Sequence, residues 1–305
     1  MQISENNKVV VLMSTYNGEK YLRTQIESVL AQKDVDVHLL VRDDGSTDKT
    51  REILDEYKKM NKLDWYFGDN LKPARSFMDL VKKSPSAQFY AFCDQDDYWL
   101  PNKLITAVNY LKKVEETQPA LYYGKTTLVN ENLEKIDQDG EYREFTTFGQ
   151  AVVSSSATGC TMCFNKCLRD LINIYTPDYQ IMHDGWLHKV CLAFNGNVFY
   201  DKDSYILYRQ HGNNVIGGTS TPYKKLQRRM QTIRNNPCPR SRCIQEIING
   251  YGCMIPKENL CVCQIVASYK SGLREKFKLL SDKRVYSSNK RIDRAYRLAV
   301  IFGIF

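Results

Sequence analysis

Residues 92–101 read FCDQDDYWLP, so that three carboxylates, Asp94, Asp96 and Asp97, fall within four positions, after an apolar run and before a proline. Like charges this close are tolerated cheaply only if they are solvated, hydrogen-bonded to backbone N–H groups or neutralised by a cation. A solvated acidic turn is one reading. The other is a D-x-D that coordinates Mg²⁺ or Mn²⁺, which in turn bridges the two phosphates of a nucleotide diphosphate. Asp43 and Asp44 form a second acidic cluster, and a strand-end carboxylate can accept a hydrogen bond from a pyrimidine N3–H. Asp184, beside His183, either caps a helix or acts as a general base toward a hydroxyl. His211 is a hydrogen-bonded surface residue, a ligand for Mn²⁺ or a donor to phosphate. Arg75 has the forked donors that suit a pyrophosphate, or is a solvated helix-start residue. Gly159 permits close approach of a sugar, or simply a bend.

These residues need elements to carry them. Residues 8–14 are a β-branched apolar run read as a buried strand, and residues 18–32 place Leu22, Ile26, Val29 and Leu30 at helical spacing. The unit repeats, with strands over 37–42, 65–68 and 89–93 and helices over 49–59, 74–82 and 102–116; Ser46 and Thr47 are the capping candidates for the helix at 49. Further on, the pattern gives a strand over 121–129, helices over 166–174 and 184–194, and strands over 198–201 and 205–210. Alternation of this kind predicts an α/β fold with a mostly parallel sheet covered by helices. Ligands bind such sheets beyond the carboxyl ends of the strands. Residues 15–17, 43–46 and 94–97 all sit at such ends, which draws three separate loops to one edge.

The totals bound the rest. With 305 residues, 43% apolar, 11% aromatic and 26% charged, the chain is long enough for a sizeable core and is not a disordered one. No apolar run approaches the roughly 18 residues of a spanning helix or forms an export signal, so a cytoplasmic protein is expected. The ten cysteines then read as reduced, commonly buried thiols; the spacing of Cys160, Cys163 and Cys167 fits no zinc motif well. The first strand leads into STYNG rather than a dinucleotide fingerprint, and there is no P-loop, EF-hand, nucleophile elbow or H-E-x-x-H. Residues 222–305 carry 18 basic against 5 acidic side chains, 18 − 5 = +13, whereas the total is +8, leaving residues 1–221 at 8 − 13 = −5.

STYNG at 14–18, RDDGSTDKT at 42–50, CDQDDYWLP at 93–101, TGCTMCFNK at 158–166, HDGW at 183–186 and YRQHGNNVIG at 208–217 together resemble glycosyltransferase family 2 and its GT-A fold, in order and in spacing. The combination is most similar to the bacterial rhamnosyltransferase branch. The resemblance implies an inverting transfer from a nucleotide-sugar donor, dTDP-rhamnose or a UDP-hexose, without a covalent sugar intermediate, and a lipid-linked or polysaccharide acceptor. It implies that Thr15 and Tyr16, with Asn17, line the nucleobase pocket, that Asp43 and Asp44 hold the pyrimidine and that Arg75 lies on the nucleotide side. It further implies that Asp94 and Asp96 bind Mg²⁺ or Mn²⁺ with His211 approaching the metal, that Asp184 is the base, and that Asp97, Trp99, Gly159, His183 and Trp186 lie toward the donor sugar or acceptor, with bracing of the loop the other reading for Asp97.

A catalytic domain over 1–220 and a helical basic region over 221–305 are expected, divided near residues 218–222. Residues 273–280 and 292–305 mix apolar and basic side chains, a pattern for peripheral docking on an anionic membrane surface or for a helical packing segment with a solvated basic face. Nucleic acid is not an expected partner, because aromatic and basic residues do not interleave as a stacking platform. A sugar-nucleotide nucleotidyltransferase would need a Gly-rich, basic triphosphate loop after the first strand, and STYNGEKY is not one. A noncatalytic sugar-binding protein would need neither the metal cluster nor the base.

Overall fold

The computed structural model describes residues 7–136, 144–154, 157–211 and 238–305. Its sheet is built outward from β1 (Lys8–Thr15), a run of valines with Leu12 and Met13. Val9, Val11 and Met13 point into one apolar cluster, Val10 and Leu12 into another, and all five are fully buried. Burial on both faces is why the strand reads as continuous rather than alternating apolar sequence. Each such side chain contributes about 1.5–3 kcal/mol.

The strand order is β3 (Asp64–Phe67), β2 (Asp36–Asp43), β1, β4 (Phe89–Cys93), β7 (Cys163–Asn165), β6 (Ala120–Val129), β8 (Asn197–Arg209) and β5 (Tyr98–Trp99). On the first face α1 (Leu22–Leu30) buries Leu22, Ile26 and Val29, one stripe at helical spacing, with α2 (Thr50–Lys59) and α4 (Lys103–Leu111) in the same cluster. On the other lie α3 (Lys72–Lys83), α5 (Phe148–Val153), α6 (Lys166–Ile174) and α7 (His183–Ala193). Since β1 has β2 on one side and β4 on the other, the chain changes direction beside β1. That switch opens a crevice beyond Thr15, Asp43 and Cys93.

The sheet is more mixed than the sequence pattern suggests. β3-β2-β1-β4 and β6–β8 are parallel, but β4–β7, β6–β7 and β5–β8 are antiparallel. β5 and β7, of two and three residues, are too short to leave a periodicity. The strands expected over 198–201 and 205–210 are one strand, β8, which passes the polar residues 202–204 by shifting register against Gly124 and Lys125 of β6. Ser46 and Thr47 do not cap α2, whose N-cap is Lys49 with no side-chain bond; they join loops instead.

Beyond residue 237, α8 (Pro239–Tyr251), α9 (Lys257–Ser268), α10 (Leu273–Ser281) and α11 (Lys290–Ile301) follow. Ile247, Tyr251, Val266, Leu279, Tyr296, Val300 and Phe305 belong to the same cluster as Val10 and Leu12. The expected division near residues 218–222, and residues 212–217 of the YRQHGNNVIG motif, lie outside the described residues. Among those described, no helix is long and apolar enough to cross a membrane.

Candidate active site

Three loops leave the carboxyl ends of β1, β2 and β4, and side chains tie them together. The Gln95 amide bonds both backbone groups of Tyr16, taking its N–H at 2.9 Å and donating to its carbonyl at 3.1 Å. Gly18 leaves room for this amide, because a Cβ would stand 2.3 Å from Gln95 Oε1 and displace it. Asn17 adopts a left-handed φ of 49°, which Asn tolerates better than most residues, and its Oδ1 accepts the Thr47 N–H at 2.8 Å. Its own N–H donates to Ser46 Oγ.

The Asp43–Asp44 pair is buried and fully engaged. Asp43 accepts from Arg51 Nε at 2.7 Å, from Ser46 N–H at 3.1 Å and from Thr15 Oγ1 at 3.4 Å. Asp44 accepts from the Arg42 guanidinium and from the N–H groups of Leu71 and Lys72, each at 3.0 Å. Arg42, itself 3% exposed, also reaches Asp79 at 3.0 Å and the Asp69 carbonyl at 2.9 Å. The pair therefore shapes the loop around it. Thr15 is buried behind it, while Tyr16 is 47% exposed and faces outward. Arg75 lies exposed on α3 and donates to the Asp178 carbonyl, linking α3 to the loop before α7.

The second cluster is treated differently. Asp94 and Asp96 are half-buried, and burial together with the Asp96 and Asp184 carboxylates pushes Asp94 up to about 7. Asp96 Oδ2 meets His211 Nε2 at 2.8 Å, and Arg209 Nε holds the Asp96 carbonyl at 2.8 Å. Asp97 turns inward, fully buried, accepting the Arg209 N–H at 3.1 Å; burial and its two acidic neighbours push it well up. Oxygens of Asp94 and Asp97 and the Cys160 sulfur all lie within 4.8 Å of one another. The two aspartate oxygens are hard donors that fit Mg²⁺ or Mn²⁺, whereas the thiol is a soft one, and of the expected ligands Asp96 and His211 pair with each other beside this group. All ten cysteines are free thiols.

Asp184 enters from a separate element. The N-cap of α7 is Met182, so Asp184 stands in the first turn rather than at the cap. It is half-buried and close enough to Asp94 to raise it. His183 is 3% exposed, stacked on Phe77 with centroids 4.0 Å apart and edge-on to Phe92, and neither ring nitrogen has a hydrogen-bond partner. Burial drives it down to about 4, so the ring is neutral. A Cβ on Gly159 would come within 2.6 Å of His183 Nε2, which explains that glycine by close approach to a protein ring.

Trp99 and Trp186, expected toward the sugar, are each 1% exposed and sit inside the two apolar clusters. Their large rings gain more from packing than from a partly open pocket. Asp97, beside Asp94, and His183, beside Asp184, are the buried residues that form the wall behind the site. Lys103, buried and stacked 3.6 Å over the Trp99 ring, has its ammonium shifted down by burial. Gln95, Arg42, Arg51, Arg209 and Lys103 were not singled out in the sequence, although Gln95, Arg42 and Arg209 lie inside the motifs quoted. His188 bonds the Phe145 carbonyl at 2.9 Å.

The profile described as "Glycosyl transferase family 2" matches residues 10–190. A dTDP-rhamnosyl transferase, RfbG, of Shigella flexneri is 28% identical over 245 residues, covering 73% of this chain and 79% of that protein. A UDP-Glc:alpha-D-GlcNAc-diphosphoundecaprenol beta-1,3-glucosyltransferase, WfgD, of Escherichia coli is 32% identical over 124 residues, 41% of this chain and 47% of that protein. In fold, the chain is similar to S. aureus TarS 1-349 in complex with UDP-GlcNAc, with a TM-score of 0.55 at 18% identity over 96% of this chain and 89% of that one. The match spans more than half of the chain, includes every strand-end loop described above, and places this protein in glycosyl transferase family 2, as a glycosyltransferase of GT-A architecture.

Proposed function

We propose that this glycosyltransferase moves one sugar, L-rhamnose from dTDP-rhamnose, with inversion, onto a lipid-linked or polysaccharide acceptor in the assembly of a bacterial cell-surface polysaccharide. The observation that supports the mechanism is that Asp184, from the first turn of α7, lies near enough to the D-x-D of the β4 loop for its charge to bear on Asp94. A displacement with inversion needs a base on the acceptor side and a stabilised leaving group on the other. Asp184 takes the proton of the acceptor hydroxyl as that oxygen bonds to the anomeric carbon, and the bond from that carbon to the diphosphate oxygen breaks with its electron pair going to the diphosphate.

Asp94, Asp96 and His211 would hold Mg²⁺ or Mn²⁺, which when bound supplies positive charge to the two donor phosphates and to the departing diphosphate. Thr15, Tyr16 and Asn17 line the base pocket, and Asp43 and Asp44, through their arginine and backbone partners, hold the loop that grips the pyrimidine. Arg75 lies on the nucleotide side. Gly159 and His183 back the donor sugar. The likeness to the dTDP-rhamnosyl transferase, which spans most of both chains, supports rhamnose as the sugar. A UDP-hexose is the second reading, supported by the glucosyltransferase relative. The residues up to about 220 form the catalytic unit in this reading, and the protein acts at the inner face of the plasma membrane.

Thermal shift against dTDP-, UDP- and GDP-sugars with Mn²⁺ or Mg²⁺ tests this directly, since ligand binding stabilises the folded state according to affinity. The largest shift is expected with dTDP-rhamnose. A larger shift with a UDP-hexose selects the second reading, and none with any donor rejects both.

A further inference from the structure

The C-terminal helices bury one face and expose another that is not polar. Leu279 of α10 and Tyr296 and Val300 of α11 pack into the core. Yet Leu273 and Phe277 on α10, 84% and 73% exposed, and Leu298, Ile301 and Phe302 at the end of α11, 53%, 52% and 72% exposed, face outward. The spacings i, i+4 and i, i+3, i+4 put each set on one side of its helix. The two helices lie side by side and antiparallel, because Lys276 Nζ donates to the Ile301 carbonyl at 2.7 Å and Arg297 donates to the Leu280 carbonyl at 3.3 Å. The two apolar sets thus adjoin.

Cations surround them. Residues 270–302 contain ten Lys and Arg against three Asp and Glu. Two of the three acids are matched within the face, Asp282 by Arg284 at 2.6 Å and Asp293 by Arg297 at 2.8 Å. Lys290, Arg291 and Arg294 occupy the outer side of α11 one to about two turns before Leu298, and Arg274 and Lys278 follow Leu273 and Phe277 on α10.

We infer that this face docks on an anionic lipid surface, with Leu273, Phe277, Leu298, Ile301 and Phe302 entering the headgroup–acyl boundary and the lysines and arginines lying among the phosphates. Charge complementarity selects this occupant: a second copy of the chain would bring an equally basic face against it, and a neutral apolar partner would leave the cations unused. The inference is independent of which sugar is transferred.

Co-sedimentation of the full chain with vesicles of phosphatidylglycerol and phosphatidylcholine tests it. Binding is expected to the mixed vesicles, to fall steeply with salt, and to be absent with phosphatidylcholine alone. Phe277→Asp with Phe302→Asp should abolish it with thermal unfolding unchanged, since both side chains are exposed; Arg291→Ser with Arg294→Ser should weaken it about tenfold or more. Failure to bind the anionic vesicles, equal binding to neutral ones, or a dimer that the aspartate pair converts to monomer would each overturn the assignment.

Discussion

The molecule holds two acidic clusters a short distance apart and treats them in opposite ways. Asp43 and Asp44 are each matched to an arginine and to backbone N–H groups. Asp94, Asp96 and Asp97 are set against one another, and Asp94 is driven up to about 7. Residue type alone does not distinguish them; partners do. A carboxylate whose lone pairs are taken is architecture, fixing a loop for a ligand to meet. Carboxylates that repel one another store unfavourable energy that a cation can relieve.

The contrast can be broken by mutation, beginning with the group that approaches the second cluster from α7. Asp184→Asn should cut turnover by about 10²–10⁴-fold while donor binding survives, as expected for a base that acts only in the transition state. Unchanged turnover in a transfer assay would remove Asp184 from that role. Next, Asp44→Ala takes from the buried Arg42 one of its two carboxylates, leaving Asp79, and takes from the Leu71 N–H its acceptor; it should cost about 1–3 kcal/mol of stability with or without Mn²⁺. Asp94→Asn should instead leave the metal-free protein as stable or more so, and erase the stabilisation that Mn²⁺ gives. Denaturant melts with and without the ion would show if both variants behave alike, in which case the two clusters do not differ as described.

A third test concerns the wall behind the second cluster. His183 lies near 4 in the folded chain against an ordinary value of 6.5, so its neutral form is the one the fold accepts. That contribution is fully present above pH 6.5 and is lost as pH falls through about 4. His183→Leu should flatten this acid limb without removing it, since His188 is lowered in the same way. Unfolding at pH 5 and pH 7 measures the difference, and an unaltered limb would contradict the neutral, buried ring. The smallest effect is expected from Arg75→Ala: a few-fold rise in the donor KM with stability unchanged, because that side chain is exposed.

The half of the sheet that positions the site was legible because β1, β2 and β4 are apolar on both faces and end in polar clusters. The ridge of α7 was legible too, with its boundary one residue earlier than the pattern suggested. Charge pairing was harder to see. Asp44 lies just past the end of β2 and turns back to meet Arg42 of that strand, and Arg51 reaches Asp43 across a loop whose path periodicity does not describe. Trp99 and Trp186 illustrate a different limit: an aromatic within a motif has the same sequence whether it lines a pocket or braces it from behind. Nor could Asp97 be separated from Asp94 and Asp96 by type, since only β5 and its pairing with β8 rotate it inward.

Gln95 has a consequence for how ligands communicate. Its one amide grips both backbone groups of Tyr16, so the loop proposed above for the nucleobase and the loop that carries Asp94 and Asp96 are tied together. Ordering either loop prepays part of the entropy of ordering the other. Nucleotide and cation should therefore bind with positive cooperativity, and by linkage each should raise the other's affinity by the same factor. A single glutamine thus makes two binding events thermodynamically one.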